Sequence, residues 1–497
     1  MTMLLAKDMS QGGVGGGIMA NRDELNAPTT RISSDSIPVH PMGVKPLGNQ
    51  YFATGPTARQ SLGSLGRLPD EMILQMLEYL DTRSLKDVGF TCRFLYAFCQ
   101  LDELWKALFL ETSSDPLAWK GSWRSTHLKA PDNWRAKIDC SNVFSDVIHR
   151  PFACAHIALG KYSSSIPQAN QISRFKRLGY DEFAESWSSR PFILTDCIQP
   201  WPVYSDWSIR ELETRYSNVK FRAEAVDWSL STYYKYVSNN EDESPLYLFD
   251  KGFAEKMNIQ IGHGNGSGAV YWPPECFGSD LFEVLGEERP AHRWLIIGPE
   301  RSGSTFHKDP NGTSAWNAVL EGSKYWIMFP PPAQVPGVYV SEDSSEVTSP
   351  LSIAEWLLEF HAEARAQPGC REGVCKAGEI LHVPSGWWHL VVNLEAGTAL
   401  TQNFVPKSHL ADVLSFLKDK PDQVTGFRRD IESPHDLFVE RLSIHYPHLL
   451  DGALGELERR NQTKKRKWEE AVGNKNDTES SAGGFSFGFG DEDDEIP

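Results

Sequence analysis

Apolar positions first settle into a helical rhythm near residue 73. Ile73, Met76, Leu77 and Leu80 recur at i, i+3, i+4 and i+7, which puts them on one face of a helix. Pro69 suits the first turn, where its missing N–H leaves nothing unsatisfied, and Asp70 and Glu71 favour the positive end of the helix dipole. Ser84-Leu85-Lys86-Asp87 has the form of a capping box and predicts a second helix carrying Leu85 and Val88. Asp102 is placed to cap a third, with Leu104, Trp105, Leu108 and Phe109 on its inner side. The pattern predicts a small helical bundle over 65–111.

The period then changes. From about residue 268, short runs rich in strand formers alternate with Gly, Pro and Asn turns, at 293–297, 324–329, 379–383, 390–394 and 399–405. Even spacing of such runs predicts a β-sandwich or barrel. An amphipathic helix with Ile353, Trp356, Leu357 and Phe360 on one side interrupts them, and helical spacing returns at 409–417. Neither end of the chain keeps a period. Residues 1–64 read as a disordered arm rich in Gly, Ser, Pro and Thr, and 461–497 as a disordered tail with a basic cluster and an acidic end. The expected order is arm, bundle at 65–111, connecting segment at 112–179, barrel at 180–410 with its core at 245–407, C-terminal helices at 411–460, and tail.

A length of 497 residues suits about three folding units of roughly 150 residues each. Hydrophobic residues at 40% supply a sizeable core. The 49 Lys and Arg against 66 Asp and Glu give a net charge of −17, which argues against direct nucleic-acid binding. Eight cysteines scattered from Cys92 to Cys375 are too sparse for a disulfide scaffold, so a reducing compartment is expected. Residues 1–20 lack a secretory pattern, and runs such as Trp294-Leu295-Ile296-Ile297 are far too short to span a membrane. Lys464-Lys465-Arg466-Lys467 in an accessible tail predicts a nuclear pool.

His307-Lys308-Asp309 precedes a Pro310-Asn311-Gly312 turn. In extended backbone, residues i and i+2 share a face, so His307 and Asp309 can hold one metal ion together. His361-Ala362-Glu363 makes a control: its helical spacing sets the two side chains roughly 200° apart, and the pair reads as solvated surface. A third ligand is either His389 or His382, and period alone does not separate them. Two histidines and one carboxylate form the facial triad of non-haem Fe(II) oxygenases, whereas zinc more often recruits cysteines or a closed set of four. Cys370 and Cys375 lack matching partners and read as loop thiols. Lys324 heads a strand with Trp326 and Met328 on its own face, so its ammonium is expected to be partly buried and to need an anion.

Two resemblances give these patterns a family. Leu68-Pro69-Asp70-Glu71, Ile73, Leu77-Glu78-Tyr79-Leu80, Leu85, Val88, Cys92-Arg93 and Leu104-Trp105 together resemble an F-box, which docks onto the Skp1 adaptor of cullin ubiquitin ligases. Leu68, Pro69, Ile73 and Leu77 are then expected to stay partly uncovered for that partner. Residues 244–250, 299–329 and 378–404 resemble a Jumonji-C oxygenase of the arginine demethylase/lysyl hydroxylase branch once called the phosphatidylserine receptor. The signal lies in His307-Lys308-Asp309-Pro310, Gly312-Thr313-Ser314-Ala315-Trp316-Asn317, Gly322-Ser323-Lys324, Gly386-Trp387-Trp388-His389 and Thr401-Gln402-Asn403-Phe404.

The resemblance implies a multidomain chain: a small all-α F-box bundle plus a double-stranded β-helix (jelly-roll, cupin-like) barrel with flanking helices. It implies His307, Asp309 and His389 as ligands of Fe(II), because the family's second histidine follows Gly-Trp-Trp. Lys324 and Thr401 fall where the family holds the distal carboxylate of 2-oxoglutarate, with Tyr247 nearby, and Asn317 falls beside the iron. Trp387, Trp388 and Trp316 are expected as an apolar wall. Ser304 stands where the near branch has threonine, and the near branch is basic where this chain is acidic. The implied activity is hydroxylation of a protein side chain with 2-oxoglutarate and O2 as cosubstrates, lysine first, with histone arginine or lysine demethylation as runner-up. Coupling to a ubiquitin ligase through a Skp1-like adaptor, and chromatin association, go with it. The reading from another class is a non-catalytic F-box adaptor, against which the full ligand set and Lys324 argue.

Overall fold

Helical spacing in the N-terminal block becomes four helices: α1 (Asp70–Glu78), α2 (Thr82–Gly89), α3 (Arg93–Phe98) and α4 (Asp102–Thr112). The structure is a computed structural model that describes residues 37–112, 118–131, 138–262, 268–342, 346–350 and 352–473. Ile73, Leu77, Leu85, Phe94, Phe98, Leu104, Trp105 and Phe109 are buried. Details differ from the expected caps. Pro69 precedes the first helix as its cap residue. Asp81, not Ser84, caps α2 by accepting from the Ser84 N–H at 2.8 Å, because the helix begins at Thr82 and Ser84 falls inside its first turn. Asp102 begins α4 but turns its carboxylate to another helix, α5 (Trp123–His127), accepting from the Trp123 and Arg124 N–H groups at 3.0 and 2.9 Å. Met76 is 50% exposed, since the bundle covers only the Ile73–Leu77 stripe of α1.

The bundle does not stand apart. Trp123 of α5 lies against Trp119, Phe109 and Trp228, and its indole N–H donates to Asp242 at 2.9 Å. These aromatic side chains belong to one hydrophobic cluster that runs from Met42 to Phe404. The expected connecting segment is therefore part of the core, with α6 (Asp146–Cys154) burying Ile148 in the same cluster.

Eight strands form the barrel: β1 (Arg293–Gly298), β2 (Gly303–His307), β3 (Ser314–Glu321), β4 (Ser323–Phe329), β5 (Arg371–Lys376), β6 (Ile380–Val383), β7 (Trp388–Asn393) and β8 (Gly397–Phe404). β6-β3-β8-β1 lie in a nine-stranded sheet, and β5-β4-β7-β2 make a four-stranded one. All pairings among these eight are antiparallel. The nine-stranded sheet is extended by Ser173–Phe175 and Phe192–Leu194 beyond β6, and by Leu248–Asp250, Lys220–Ala223 and Val226–Ser229 beyond β1. β6, β7 and β8 are buried along their whole length, and β3 and β4 at all but one residue each, because both faces are covered. Period-2 alternation sends Ala315, Val319, Trp326, Met328 and Val391 into one cluster. Their neighbours Tyr325, Ile327, Leu390 and Val392 go to another, on the outer face of the small sheet.

Two sharp features shape the barrel near its mouth. The β2–β7 ladder shifts register between His389 and Val391, and a Cβ at Gly303 would lie 2.0 Å from the Val391 carbonyl oxygen. Only glycine permits that approach. The interrupting helix breaks at Phe360, giving Ile353–Glu359 and α7 (His361–Ala366).

Both expected tails are shorter than composition suggested. Met42, Val44, Ala58 and Leu62 are buried, and Arg59 pairs with Asp70. Residues 38–64 thus pack through isolated apolar side chains and short 3-10 turns, which leave no periodic signal. At the other end Leu410–Asp419, Pro434–His445 and α8 (Pro447–Gly473) enclose a further apolar cluster. The basic cluster sits on α8, with Lys464, Lys465 and Arg466 exposed on a helix rather than in a coil. The arm at 1–36 and the tail beyond 473 lie outside the described residues.

Candidate active site

The β2–β7 ladder places His307 opposite His389. Their rings lie 4.1 Å apart between centroids. Asp309 follows two residues later, where the Pro310–Gly312 turn bends the chain back, and the ligand atoms of His307, Asp309 and His389 all fall within 4.8 Å of one another. Among the described residues this is the one cluster of three such groups. Lys308, between them, points away, with its ammonium 4.5 Å from the Trp388 ring centroid.

Hydrogen bonds orient each group. His307 Nδ1 lies 2.7 Å from the Thr305 carbonyl and His389 Nδ1 lies 3.1 Å from the Trp387 carbonyl. Each Nδ1–H therefore donates to backbone, which leaves Nε2 with a free lone pair. Burial and the nearby His307 hold His389 well below its usual range, so it stays neutral. Asp309 Oδ1 accepts from the Asn403 amide at 3.4 Å, while its Oδ2 is shielded and unpartnered. Burial raises the Asp309 carboxyl above its ordinary value, with His307 opposing.

A cavity of about 270 Å3 opens beside this trio, lined by Tyr247, Asn317, Trp326, Thr401 and Asn403 among others. Asn317 stands opposite Thr401 in the β3–β8 ladder, and its side-chain oxygen is buried without a partner. The Thr401 hydroxyl donates to the Trp316 carbonyl at 2.9 Å. Lys324 is 3% exposed and sits behind Tyr247, donating to the Tyr247 hydroxyl at 2.5 Å and to Asn393 Oδ1 at 2.9 Å. Burial lowers its ammonium to about 7. No carboxylate is among its hydrogen-bond partners in the described residues.

The fold separates the two rival histidines and corrects other sequence expectations. His382 points to the opposite face, its Nε2 3.1 Å from the Ser188 carbonyl and its ring among Phe183, Phe192 and Phe277. Trp316 and Trp388 also face outward, one residue out of phase with Asn317 and His389. Trp316 packs on Trp201 and Tyr271 instead. The aromatic wall of the cavity consists of Tyr247, Phe249, Trp294 and Trp326. His361 is not solvated surface: it is 7% exposed, with Nε2 2.9 Å from the Tyr325 hydroxyl and 3.7 Å from Glu372. Glu363 is exposed as expected. Cys370 and Cys375 are buried free thiols, the latter within β5. Sequence reasoning missed Asn403, Asn393 and Trp294, although Asn403 sits at i+2 from Thr401 and so had to share its face.

Comparison with known proteins follows the same division. A cupin-like domain model matches residues 182–409 and an F-box-like model matches 65–111. The arginine-specific demethylase JMJ22 of Arabidopsis thaliana is 36% identical over 459 residues, 90% of this chain and 88% of that protein. The chain belongs to the Jumonji-C oxygenases. The bifunctional arginine demethylase and lysyl-hydroxylase psr-1 of Caenorhabditis elegans is 34% identical over 277 residues, 52% of this chain and 64% of that protein. The 2-oxoglutarate and iron-dependent oxygenase JMJD4 of Danio rerio is 26% identical over 326 residues, 60% and 68% of the two chains. As a Jumonji-C member, the chain is a dioxygenase that uses Fe(II), 2-oxoglutarate and O2. The residues present fit those groups: two free imidazole nitrogens, one orphaned carboxylate oxygen, and a buried ammonium without an anion. No described helix is long and apolar enough to cross a membrane.

Proposed function

We propose that this Jumonji-C protein is a protein arginine demethylase whose iron is held by His307, Asp309 and His389. The observation that carries the substrate is the match to a protein named an arginine-specific demethylase across 88% of its length. The ligand assignment is supported by donors within 4.8 Å of one another on one side of an open cavity, which leaves coordination positions for cosubstrates. Lys324 binds the distal carboxylate of 2-oxoglutarate. Tyr247 accepts from Lys324, so its own proton is free to donate to the same carboxylate. Thr401 adds a third donor once its hydroxyl turns from the Trp316 carbonyl, and Asn317, whose amide oxygen is unpartnered, lines the same cavity as the iron ligands. Trp326, Trp294 and Phe249 limit water there.

With Fe(II) bound, the centre supplies an oxidant made from O2 and 2-oxoglutarate, with succinate and CO2 as by-products. Oxidation of an N-methyl carbon gives a carbinolamine that releases formaldehyde and the demethylated guanidine. Oxidation of a lysine carbon gives a stable alcohol. That second reading is favoured by the psr-1 relative, which is named for both activities. Incubating the protein with Fe(II), 2-oxoglutarate and peptides bearing either methylarginine or lysine separates them by mass spectrometry. Formaldehyde with loss of a methylene supports demethylation, and gain of one oxygen on unmethylated lysine supports hydroxylation. Succinate without modification of either peptide removes both.

The F-box bundle docks a Skp1-like adaptor in this reading. Of the expected anchors, Pro69 is exposed and Leu68 partly so, whereas Ile73 and Leu77 are covered by the chain itself; Met72, Met76, Tyr79 and Phe90 add side chains that are 48%, 50%, 85% and 76% exposed. The exposed basic residues on α8 support a nuclear pool, where histone substrates and chromatin lie.

A further inference from the structure

Beside α1 the molecule carries a groove much larger than the metal pocket, with an open volume of about 1100 Å3. Its floor is apolar. Leu74, Leu80, Leu101, Leu108 and Val147 line it and are only half-buried against the core behind them. Its rim is acidic, with Glu71, Glu78, Glu103 and Asp146 exposed and Glu243 alongside. Lys106 and Arg150 are the bases present, and Arg150 is committed to Glu243 and Glu355. Glu71 and Glu78 have no side-chain hydrogen bond or ion pair among the described residues.

The groove does not end blind. Glu243 and Ser244 wall both it and a chamber of about 410 Å3. Ser304 and His307 wall that chamber and the metal pocket in turn. Glu224, at the turn between Lys220–Ala223 and Val226–Ser229, adds a further carboxylate to the chamber. The groove, the chamber and the metal pocket thus lie side by side, each sharing walls with the next.

Half-buried leucines under an acidic rim, with Glu71 and Glu78 unpartnered among the described residues, select a basic segment with apolar anchors, because a neutral or acidic occupant would desolvate the rim without compensation. We propose that this groove docks the polypeptide substrate through such a segment, while a neighbouring side chain reaches the metal pocket through the chamber. The inference rests on the reading of the chain as an oxygenase of protein side chains. It gives the F-box bundle a share in choosing the substrate. Of the exposed side chains offered to an adaptor, Met76, Tyr79 and Phe90 do not line the groove, and Met72 sits at its edge.

The test uses the full-length protein and a fluorescent peptide of alternating Arg and Leu, with a Glu/Leu peptide as its counterpart. The Arg/Leu peptide is expected to bind by anisotropy and to weaken as salt rises from about 50 to 200 mM, and the Glu/Leu peptide is expected not to bind. Glu71→Lys with Glu78→Lys should weaken binding about tenfold, with uncoupled succinate formation unchanged. Glu71→Gln with Glu78→Gln should give a smaller loss in the same direction, and covers the case in which the charge reversal misfolds. Equal binding by wild type and both variants overturns the proposal. So does a wild-type dimer split by the variants, which would give the groove to a second copy of the chain. The anisotropy readout needs neither iron nor 2-oxoglutarate, so absence of succinate in every sample would instead count against the oxygenase reading.

Discussion

Lys324 is the residue whose chemistry depends most on its surroundings. Burial brings its ammonium down to about 7, so above that pH the free protein holds it largely neutral. A bound carboxylate needs the charged form, and binding must then take up a proton. Apparent affinity for 2-oxoglutarate should fall by roughly tenfold per pH unit above about 7 and level off below it. Calorimetric titration across that range checks this, and a flat profile would place the carboxylate elsewhere. Lys324→Ala should weaken binding by about 10- to 100-fold, and Thr401→Val by less, since one loses a charge-assisted contact and the other a neutral hydroxyl. The three ligands behave differently. Asp309→Ala and His307→Ala should abolish succinate formation, and iron should raise the melting temperature of the wild type alone. The iron-free Asp309→Ala protein should melt no lower than iron-free wild type, because the substitution removes a shielded carboxylate oxygen that has no partner. Full activity in either variant would sink the triad.

At the scale of elements, the joint between α7 and the small sheet is electrostatic. Glu372 of β5, 1% exposed, accepts from Arg365 and Tyr325 and from Asn170 at 3.1 Å, with His361 at 3.7 Å. Burial alone would raise its carboxyl, but the hydrogen bonds of His361, Arg365, Tyr325 and Asn170 outweigh it and hold it near 2. A depressed folded-state value contributes stability that is fully present above the unfolded value of 4.5 and is lost as pH falls through about 2. Glu372→Gln should therefore lower stability by about 3 kcal/mol at neutral pH and flatten the acid limb of the unfolding curve. Chemical denaturation at several pH values reads both effects. His361→Ala should leave succinate formation intact and still destabilise the protein, through the lost hydrogen bond to the Tyr325 hydroxyl and the space left by a ring that is 7% exposed. That pair of residues also shows where pattern reading stops. Helical spacing correctly separated His361 from Glu363, yet it could not reveal that β4 and β5 bring Tyr325 and Glu372 to the histidine.

For the whole molecule, bundle and barrel share one apolar cluster, so an adaptor bound to the F-box would be carried on the same compact unit as the metal pocket. Met76→Glu with Tyr79→Glu should abolish co-purification of a Skp1-like adaptor while succinate formation and melting temperature stay put. These side chains are 50% and 85% exposed and hold up no core. Retained adaptor would move the docking face elsewhere on the bundle. Much of this organisation is local and was legible in the chain. The Ile73–Leu77 stripe, the strand runs, the His307-x-Asp309 pair and the buried face of Lys324 each follow from spacing within a few residues. Choosing His389 over His382 needed the family likeness, and in the fold it is a matter of register: His389 pairs with His307 across the β2–β7 ladder, while His382 pairs with the outward Trp316. The packing of residues 38–64, the joint between α5 and the barrel, and the acid-rimmed groove were decided by tertiary structure alone. Each depends on residues about a hundred positions apart meeting, as Trp123 meets Asp242. Local periodicity carries no record of such meetings, because it reports only which face of an element is apolar and not what will cover it.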